Sequence, residues 1–384
     1  MKKMLMIVSV ASMIDQFNMP NIDILKKQGY EVHVAANFEY GSTSSKERVE
    51  ELKKELTGLN VQYYHVDFSR KIKNVSENIK AYKQIKNLML KNEYDFVHCQ
   101  SPIGGFCGRL AANNTNTTVI YTAHGFHFFK GAPLLNWILY YPVEKLLAHY
   151  TDVLITINKE DYARAKKSFK AGKIKYIPGV GIDTKKFNEV IVDKLAKRKE
   201  LEVPEDGFVI LSVGELNKNK NHETVIKSLA KLNNPNVYYV ICGQGILENY
   251  LKNLLKKLGL EKQVKLLGYR RDVAEISKAS DVFVFPSVRE GLPVALMEGM
   301  ALGLPVVCSN IRGNIDLIED YKGGYLVAPD DVDGFTEAIH EIIQKYSLRE
   351  NMGEYNKESI VKFDIDNVKV SMEKIYFDAE YFVN

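Results

Sequence analysis

Short apolar runs alternate with longer amphipathic stretches from the first residue to about position 345. In the first half the apolar runs fall at residues 4–10, 31–36, 61–66, 96–99, 118–122 and 153–157. Near-continuous apolar character marks strands covered on both faces, which means a parallel sheet. Helical patterns lie between them, among others at 19–28, 45–57, 75–91 and 134–149. In the first of these Leu25 follows Ile22 by three positions, and Gly29 supplies the stop.

The rhythm breaks at residues 177–187, IPGVGIDTKKF, where glycine and proline interrupt the periodicity as in a linker. It then restarts, with strand runs at 208–213, 237–242, 264–267, 282–285, 305–308 and 324–327. Past residue 330 the pattern is helical only. Strand–helix alternation on both sides of one linker predicts an α/β protein of two doubly wound parallel-sheet domains, 1–180 and 181–365. A terminal segment, 366–384, with its helix at about 366–382, is expected to cross back onto the first domain. Ligands of open α/β sheets bind beyond the carboxyl ends of the strands, so the expected site is a cleft where two such edges face one another.

Composition agrees with that plan. The 384 residues, 46% hydrophobic and 26% charged, are enough for two ordinary cores. No run approaches the ~20 apolar residues of a membrane span. The opening MKKMLMIVSVASMID imitates a secretory signal, but Asp15 and Gln16 close it early, so a buried first strand is expected. Cys99, Cys107, Cys242 and Cys308 have neither paired nor metal-like spacing and read as buried thiols of a reducing cytosol. Charge is uneven. Residues 1–180 hold 25 Lys and Arg against 16 Asp and Glu, and residues 181–384 hold 27 against 32, so a half at +9 precedes one at −5. With no dense basic stripe and no stacking aromatics along it, nucleic acid is not an expected partner. An anionic membrane face or an anionic acceptor fits the basic half, beside the plainer reading of a solvated lysine-rich surface.

Candidate chemistry concentrates in residues 285–307, FPSVREGLPVALMEGMALGLPVV: a strand end, a loop, a helix from about Pro293 to Leu302, and the next strand. Proline suits the first turn of a helix, where a missing N–H costs nothing. Glu290 then stands just before the helix and Glu298 about a turn and a half inside it. Eight helical residues separate them by ~12 Å, too far for a glycosidase pair. One carboxylate beside free helix amides, and another farther along, can instead grip different parts of one polar ligand. Sugar hydroxyls want acceptors, and phosphates want amides.

This segment resembles the signature of the family 4 retaining glycosyltransferases: Glu, seven residues, Glu, inside an EG-x-P-x-x-x-x-E-x-M-A-x-G-x-P frame. Glu290, Gly291, Pro293, Glu298, Met300, Ala301, Gly303 and Pro305 fill it. The resemblance implies the GT-B plan of two facing Rossmann-like domains. It also implies that the first Glu contacts the donor sugar and the second the ribose hydroxyls, roles that fall to Glu290 and Glu298. Gly291, Leu292, Pro293 and Val294 join the expected donor set.

Three weaker stretches agree. SVGELNKNKNH, 212–222, follows a strand and precedes a helix, where a diphosphate can meet backbone donors and a cation. It is similar to the family's G-R-L-x-x-x-K loop through Gly214, Leu216 and Lys220, but Glu215 stands where the family has a phosphate-binding Arg. That charge reversal leaves the missing cation to Lys218 or Arg289. YTAHGFHFFKGAP, 121–133, resembles the family's T-x-H loop, whose His lines the donor sugar site; His124 takes that place. Asp15 in the first loop (9–17), His127 and Lys130 are the acceptor-side candidates, the last two with plainer readings as a satisfied loop histidine and a surface lysine. IPGVGID and GYRRDV (268–273) are similar to the family's hinge and nucleobase segments.

The resemblance implies retaining transfer of a hexose-type sugar from a nucleotide diphosphate sugar, UDP-linked by expectation. Glu290, His124 and Lys220 form the catalytic set, with no metal or other cofactor required. Residues 8–37 resemble relatives that extend lipid-linked oligosaccharides in bacterial capsule and exopolysaccharide assembly. Together with Phe126, Phe128, Phe129, Trp137, Tyr140 and Tyr141 they point to a polyprenyl-diphosphate-linked saccharide acceptor. The protein would then be cytoplasmic and peripheral at the inner face of the plasma membrane; alternatively, these aromatics are core. Two other classes stay open: a nucleotide-sugar epimerase of the same architecture, and a non-catalytic nucleotide-sugar-binding module. Asp330, Asp331 and Asp333, and Asp364 with Asp366, imitate an Asp-x-Asp metal site. They fall after the last strands, and the first group opens a helix as a cap does. No GxGxxG follows the first strand, and no P-loop is present.

Overall fold

The computed structural model describes residues 2–41, 44–69 and 74–379. The chain forms two compact units, one holding the residues up to Val180 and those from Asp366, the other Gly181–Ile365. Residues 380–382 of the expected terminal helix lie outside the described residues.

The first unit begins with β1 (Lys3–Val10), α1 (Ala11–Phe17), α2 (Met19–Lys27), β2 (Glu31–Asn37), α3 (Lys46–Gly58) and β3 (Gln62–His65). It continues through α4 (Val75–Asn92), β4 (Phe96–Gln100), α5 (Pro102–Thr115), β5 (Thr118–Ala123), α6 (Leu134–Leu147), β6 (Val153–Thr156), α7 (Lys159–Ser168) and β7 (Lys173–Tyr176). Its strands make one parallel sheet in the order β3-β2-β1-β4-β5-β6-β7. Side chains of a strand alternate between faces, and both faces are covered here. Met4, Met6 and Val8 enter one apolar core, and Leu5 and Ile7 the other. Hence the unbroken apolar run in the sequence.

Two features of this unit depart from the sequence reading, and a third lay outside it. The expected first loop is helical: β1 passes into α1 at Val10 without a capping side chain. The seventh strand, β7, has no apolar run, because as an edge strand it leaves Lys173 exposed and the rest of KIKY half-buried. The glycines of α5 serve close packing. A Cβ on Gly105 would lie 2.4 Å from the Tyr121 ring, and one on Gly108 would lie 2.3 Å from Cys99 Sγ, so the helix lies directly on the sheet.

The second unit runs through α8 (Thr184–Asn188), α9 (Lys194–Glu200), β8 (Phe208–Val213), α10 (His222–Leu232), β9 (Val237–Cys242), α11 (Glu248–Leu258), β10 (Val264–Leu266) and α12 (Val273–Ala279). Then come β11 (Val282–Phe285), α13 (Val294–Ala301), β12 (Val306–Ser309), α14 (Asn314–Leu317), β13 (Gly324–Val327), α15 (Val332–Gln344) and α16 (Tyr346–Ile360). Its six strands are parallel in the order β10-β9-β8-β11-β12-β13. The Asp331 side chain accepts from Gly334 N at 2.8 Å, capping α15.

The last helix, α17 (Ile365–Ala379), belongs with the first unit's core. Val368, Met372, Ile375, Tyr376 and Ala379 pack beside Met4, Met6 and Phe96. The Tyr376 hydroxyl lies 2.8 Å from His98 Nδ1, whose other nitrogen lies 2.8 Å from Thr122 Oγ1. Burial pushes the His98 imidazole down to about 3, so it is neutral. Among the described residues no helix is long and apolar enough to cross a membrane.

Candidate active site

In the second unit the strand order reverses between β8 and β11, the switch point at which such sheets take their ligands. The loops leaving those strands are the two that carry the sequence motifs, and backbone groups sew them together. Val288 N donates to Asn219 O at 2.8 Å, and Asn219 Nδ2 to Arg289 O at 3.0 Å. Asn221 Nδ2 donates to Pro286 O at 3.2 Å and to Pro329 O at 2.7 Å. Lys220 Nζ then reaches Glu290 Oε1 at 2.7 Å, with side chains 20% and 14% exposed. Gly214 makes this possible: a Cβ there would stand 3.0 Å from Lys220 Cδ, so the lysine stem lies across the glycine. The ammonium also sits 4.6 Å from the centre of the Phe285 ring.

Beneath the loop, buried His222 Nδ1 lies 3.2 Å from the Tyr239 hydroxyl, which donates to Ser212 Oγ at 2.8 Å. Burial holds His222 down at about 4, with the nearby Lys220 charge acting in the same direction, so the chain is neutral.

Helix α13 starts at Val294, one residue later than expected, with Pro293 as its extended N-cap. It packs tightly, since a Cβ on Gly299 would lie 2.9 Å from the Phe283 ring. Leu292 is buried, and Gly291 and Val294 are half-buried beside the helix start. Of the two cations proposed to replace the missing Arg, both Lys218 and Arg289 are exposed, as is Glu215. A third, unforeseen cation is better placed: buried Arg312 donates from Nε to Glu290 O at 3.1 Å. The sequence held one signal for it, a position just past a strand end.

Glu298 is half-buried, and burial pushes its carboxyl up to about 7 while the Lys186 charge pulls the other way. A carboxyl raised above its ordinary 4.5 costs nothing while both states are protonated, and that stability is lost as pH rises through 7. Glu298→Gln is therefore expected to stabilise the ligand-free protein above about pH 7, by up to roughly 3 kcal/mol, and to have no effect near pH 4. Melting curves from pH 4 to 8.5 test this; a constant offset between the two proteins would remove the carboxyl as the cause.

In the first unit the order reverses between β1 and β4. His124, after β5, is half-buried there and brings Nε2 to 2.8 Å from Gln100 Oε1 at the end of β4. Gln100 in turn bonds Asn18, whose Nδ2 donates to Met13 O at 2.8 Å. Burial depresses His124 to about 4, so it is a neutral imidazole, oriented by a chain of amides. Asn18 and Gln100 escaped the sequence reading. Ser101 beside them holds φ +66°, a left-handed value rare outside glycine, and its Oγ accepts from Ser9 N at 3.2 Å.

The acceptor-side candidates scatter. Asp15 is committed to Arg48 of α3, whose Nε donates to it at 3.1 Å. The His127 ring stacks on Tyr140 at 4.6 Å. Lys130 is exposed, and its backbone N donates to Glu160 Oε1 at 2.7 Å. The aromatics turn inward: Phe126 and Phe128 are buried in the core, and Trp137, Tyr140 and Tyr141 pack against it. For these five the core reading holds, while Phe129 is half-buried outside that cluster. Among the described residues no group of three His, Cys, Asp or Glu side chains is placed to hold a metal ion.

Comparison with known proteins agrees with this geometry. Residues 193–359 match the family described as glycosyl transferases group 1, and residues 5–158 the family described as glycosyl transferase 4-like. The chain is 36% identical over 385 residues to EpsD of Bacillus subtilis, which carries a provisional glycosyltransferase name; the match covers 98% of this chain and 96% of that one. It is also 36% identical to an Escherichia coli UDP-Gal:alpha-D-GlcNAc-diphosphoundecaprenol alpha-1,3-galactosyltransferase, over 70% of each chain. Among solved structures, sucrose-phosphate synthase from Thermosynechococcus elongatus superposes with a TM-score of 0.80 at 19% identity, covering 98% of this chain and 99% of that one. Anabaena HepE, solved with UDP and glucose, gives 0.77 at 20% identity, covering 98% of this chain and 100% of that one. These likenesses give the GT-B fold. The chain belongs to the glycosyltransferases, of the group 1 and family 4-like kind.

Proposed function

We propose that the protein transfers a hexose-type sugar from a UDP-sugar to a lipid-linked saccharide, with retention at the anomeric carbon, during assembly of a bacterial surface polysaccharide or glycan. The observation that carries this reading is the Lys220–Glu290 pair at the β8/β11 switch point, beside the start of α13. A nucleotide diphosphate would meet an ammonium there, the amides of the helix start, and carboxylates for its hydroxyls. We assign Glu290 to the donor sugar, Glu298 to the ribose hydroxyls, Lys220 to the diphosphate, and to neutral His124 a hydrogen bond to the sugar or the leaving phosphate. The bond from the anomeric carbon to the diphosphate breaks, the acceptor hydroxyl oxygen makes the new one, and its proton passes to the departing diphosphate. Lys220 and the helix amides neutralise the departing charge, so the reaction needs no metal.

The relatives support the finer choices. The E. coli relative is named for a UDP-linked donor and a diphosphoundecaprenol acceptor, and a Campylobacter jejuni relative, 29% identical over 50% of this chain, for a diphospho-undecaprenol acceptor. We accordingly place the protein at the cytoplasmic face of the plasma membrane. Purified protein is to be incubated with UDP-, GDP- and dTDP-sugars, with and without a short-chain polyprenyl diphosphate saccharide, in EDTA. Acceptor-dependent release of UDP, with an α-linked product by NMR, is the expected result. Isomerisation without acceptor, or binding without release, would overturn the proposal.

A further inference from the structure

Helix α6 is inside out. In most surface helices the apolar stripe faces the core and the charged stripe faces water. Here the outward stripe is Leu134, Leu135, Ile138, Leu139, Val143 and Leu146, exposed by 74, 61, 60, 53, 40 and 57%. The positions recur at helical spacing along all 14 residues, about 21 Å of axis. Glu144 and the aromatic residues of the same helix turn the other way. Glu144 accepts from buried Arg109 at 2.9 Å, and Trp137, Tyr140 and Tyr141 pack on the core. A contiguous apolar surface of this kind is an interaction site rather than ordinary exposure.

We propose that the outer face of α6 inserts shallowly into an anionic phospholipid bilayer. Three observations select lipid over a protein partner. The exposed large apolar side chains of the helix are all aliphatic, whereas protein interfaces draw much of their energy from Trp, Tyr and Arg; the helix has no Arg and packs Trp137, Tyr140 and Tyr141 against the core. Its one acidic residue is withdrawn into the Arg109 pair, so nothing on it repels an anionic headgroup. Exposed lysines neighbour it: Lys145 in its last turn, Lys130 in the segment before it, and Lys166 and Lys167 on α7, whose Arg164 lies 4.5 Å over the Trp137 ring of α6. With 14 residues the helix is too short to span a bilayer, and its length suits lying in the interface plane.

The inference deepens the lipid-linked acceptor reading but is tested apart from it. Full-length protein is mixed with sucrose-loaded vesicles of 70% phosphatidylcholine and 30% phosphatidylglycerol and sedimented. Wild type is expected to partition onto them, and Ile138→Glu/Leu139→Glu to lose at least about tenfold in partition coefficient, with its circular dichroism and melting unchanged. Raising salt should weaken wild-type binding without abolishing it. Failure of wild type to sediment, or equal partition of the variant, would overturn the proposal. So would a dimer by light scattering that the double substitution dissociates, since the face would then be a contact between copies. Transfer to a water-soluble short-chain acceptor is measured in parallel. Vesicle binding without any transfer would sink the functional reading alone, and transfer without vesicle binding would sink this inference alone.

Discussion

Glu290→Gln is expected to lower sugar transfer by about 10²- to 10³-fold while lowering stability by no more than about 1–3 kcal/mol. Glu290 is held at two points, by Lys220 on its carboxylate and by Arg312 on its backbone carbonyl. It is thus positioned in advance for charge or hydroxyls that appear at the reacting end of a donor. Glutamine keeps the shape and one acceptor oxygen but not the charge. Binding of the free nucleotide should change little, so the loss should appear in kcat rather than in the Kd for UDP. Lys220→Met should cost activity too. Because the two side chains are partners, the double variant should lose much less than the sum of the single losses. A single variant turning over within threefold of wild type would remove Glu290 from the chemistry.

Asp281→Ala should be the most damaging of these changes to stability, at about 3–5 kcal/mol. Arg198 of α9 is buried and makes four hydrogen bonds: to Ala279 O, to Glu205 O and Gly207 O, and to Asp281 Oδ2 at 2.6 Å. Asp281 also accepts from Val209 N at 2.8 Å and from Lys194 at 3.2 Å. The pair therefore joins α9 to the amino ends of β8 and β11. Removing the carboxylate leaves a buried guanidinium without its countercharge and a strand amide without its acceptor. For a unit of this size the loss corresponds to a fall in melting temperature of roughly 6–20 °C, readable by calorimetry. Replacing Arg198 by Met as well should recover only part, because three carbonyls would then lose their donor. A fall below 2 °C would show that water reaches the pair freely.

How much of this could be read from the sequence depended on how local the signal was. Strands buried on both faces, such as β1 and β12, declare themselves by apolar runs, and the Glu290 frame lies within one loop and helix. What stayed hidden depends on neighbours distant in sequence. The Tyr121 ring and Cys99 explain Gly105 and Gly108 of α5, and Arg48 explains what Asp15 does. β7 needs only one neighbour, so four residues with two lysines suffice. Arg312 finds Glu290 across 22 positions, and Gln100 finds His124 across 24. The aromatics after His124 carried no mark of direction. Only packing shows that rings go in and aliphatics go out on α6.

The return of α17 has a consequence for biosynthesis. The ribosome delivers β1 to β7 first, yet Met4, Met6 and Phe96 get part of their cover from a helix made after the whole second unit. During that interval the nascent sheet shows an uncovered greasy flank, and His98 waits for its tyrosine. The first unit is thus sealed only after the second has emerged. A nonsense lesion just upstream of α17 would leave a product that holds both sheets but has the first unit's core open to chaperones and proteases.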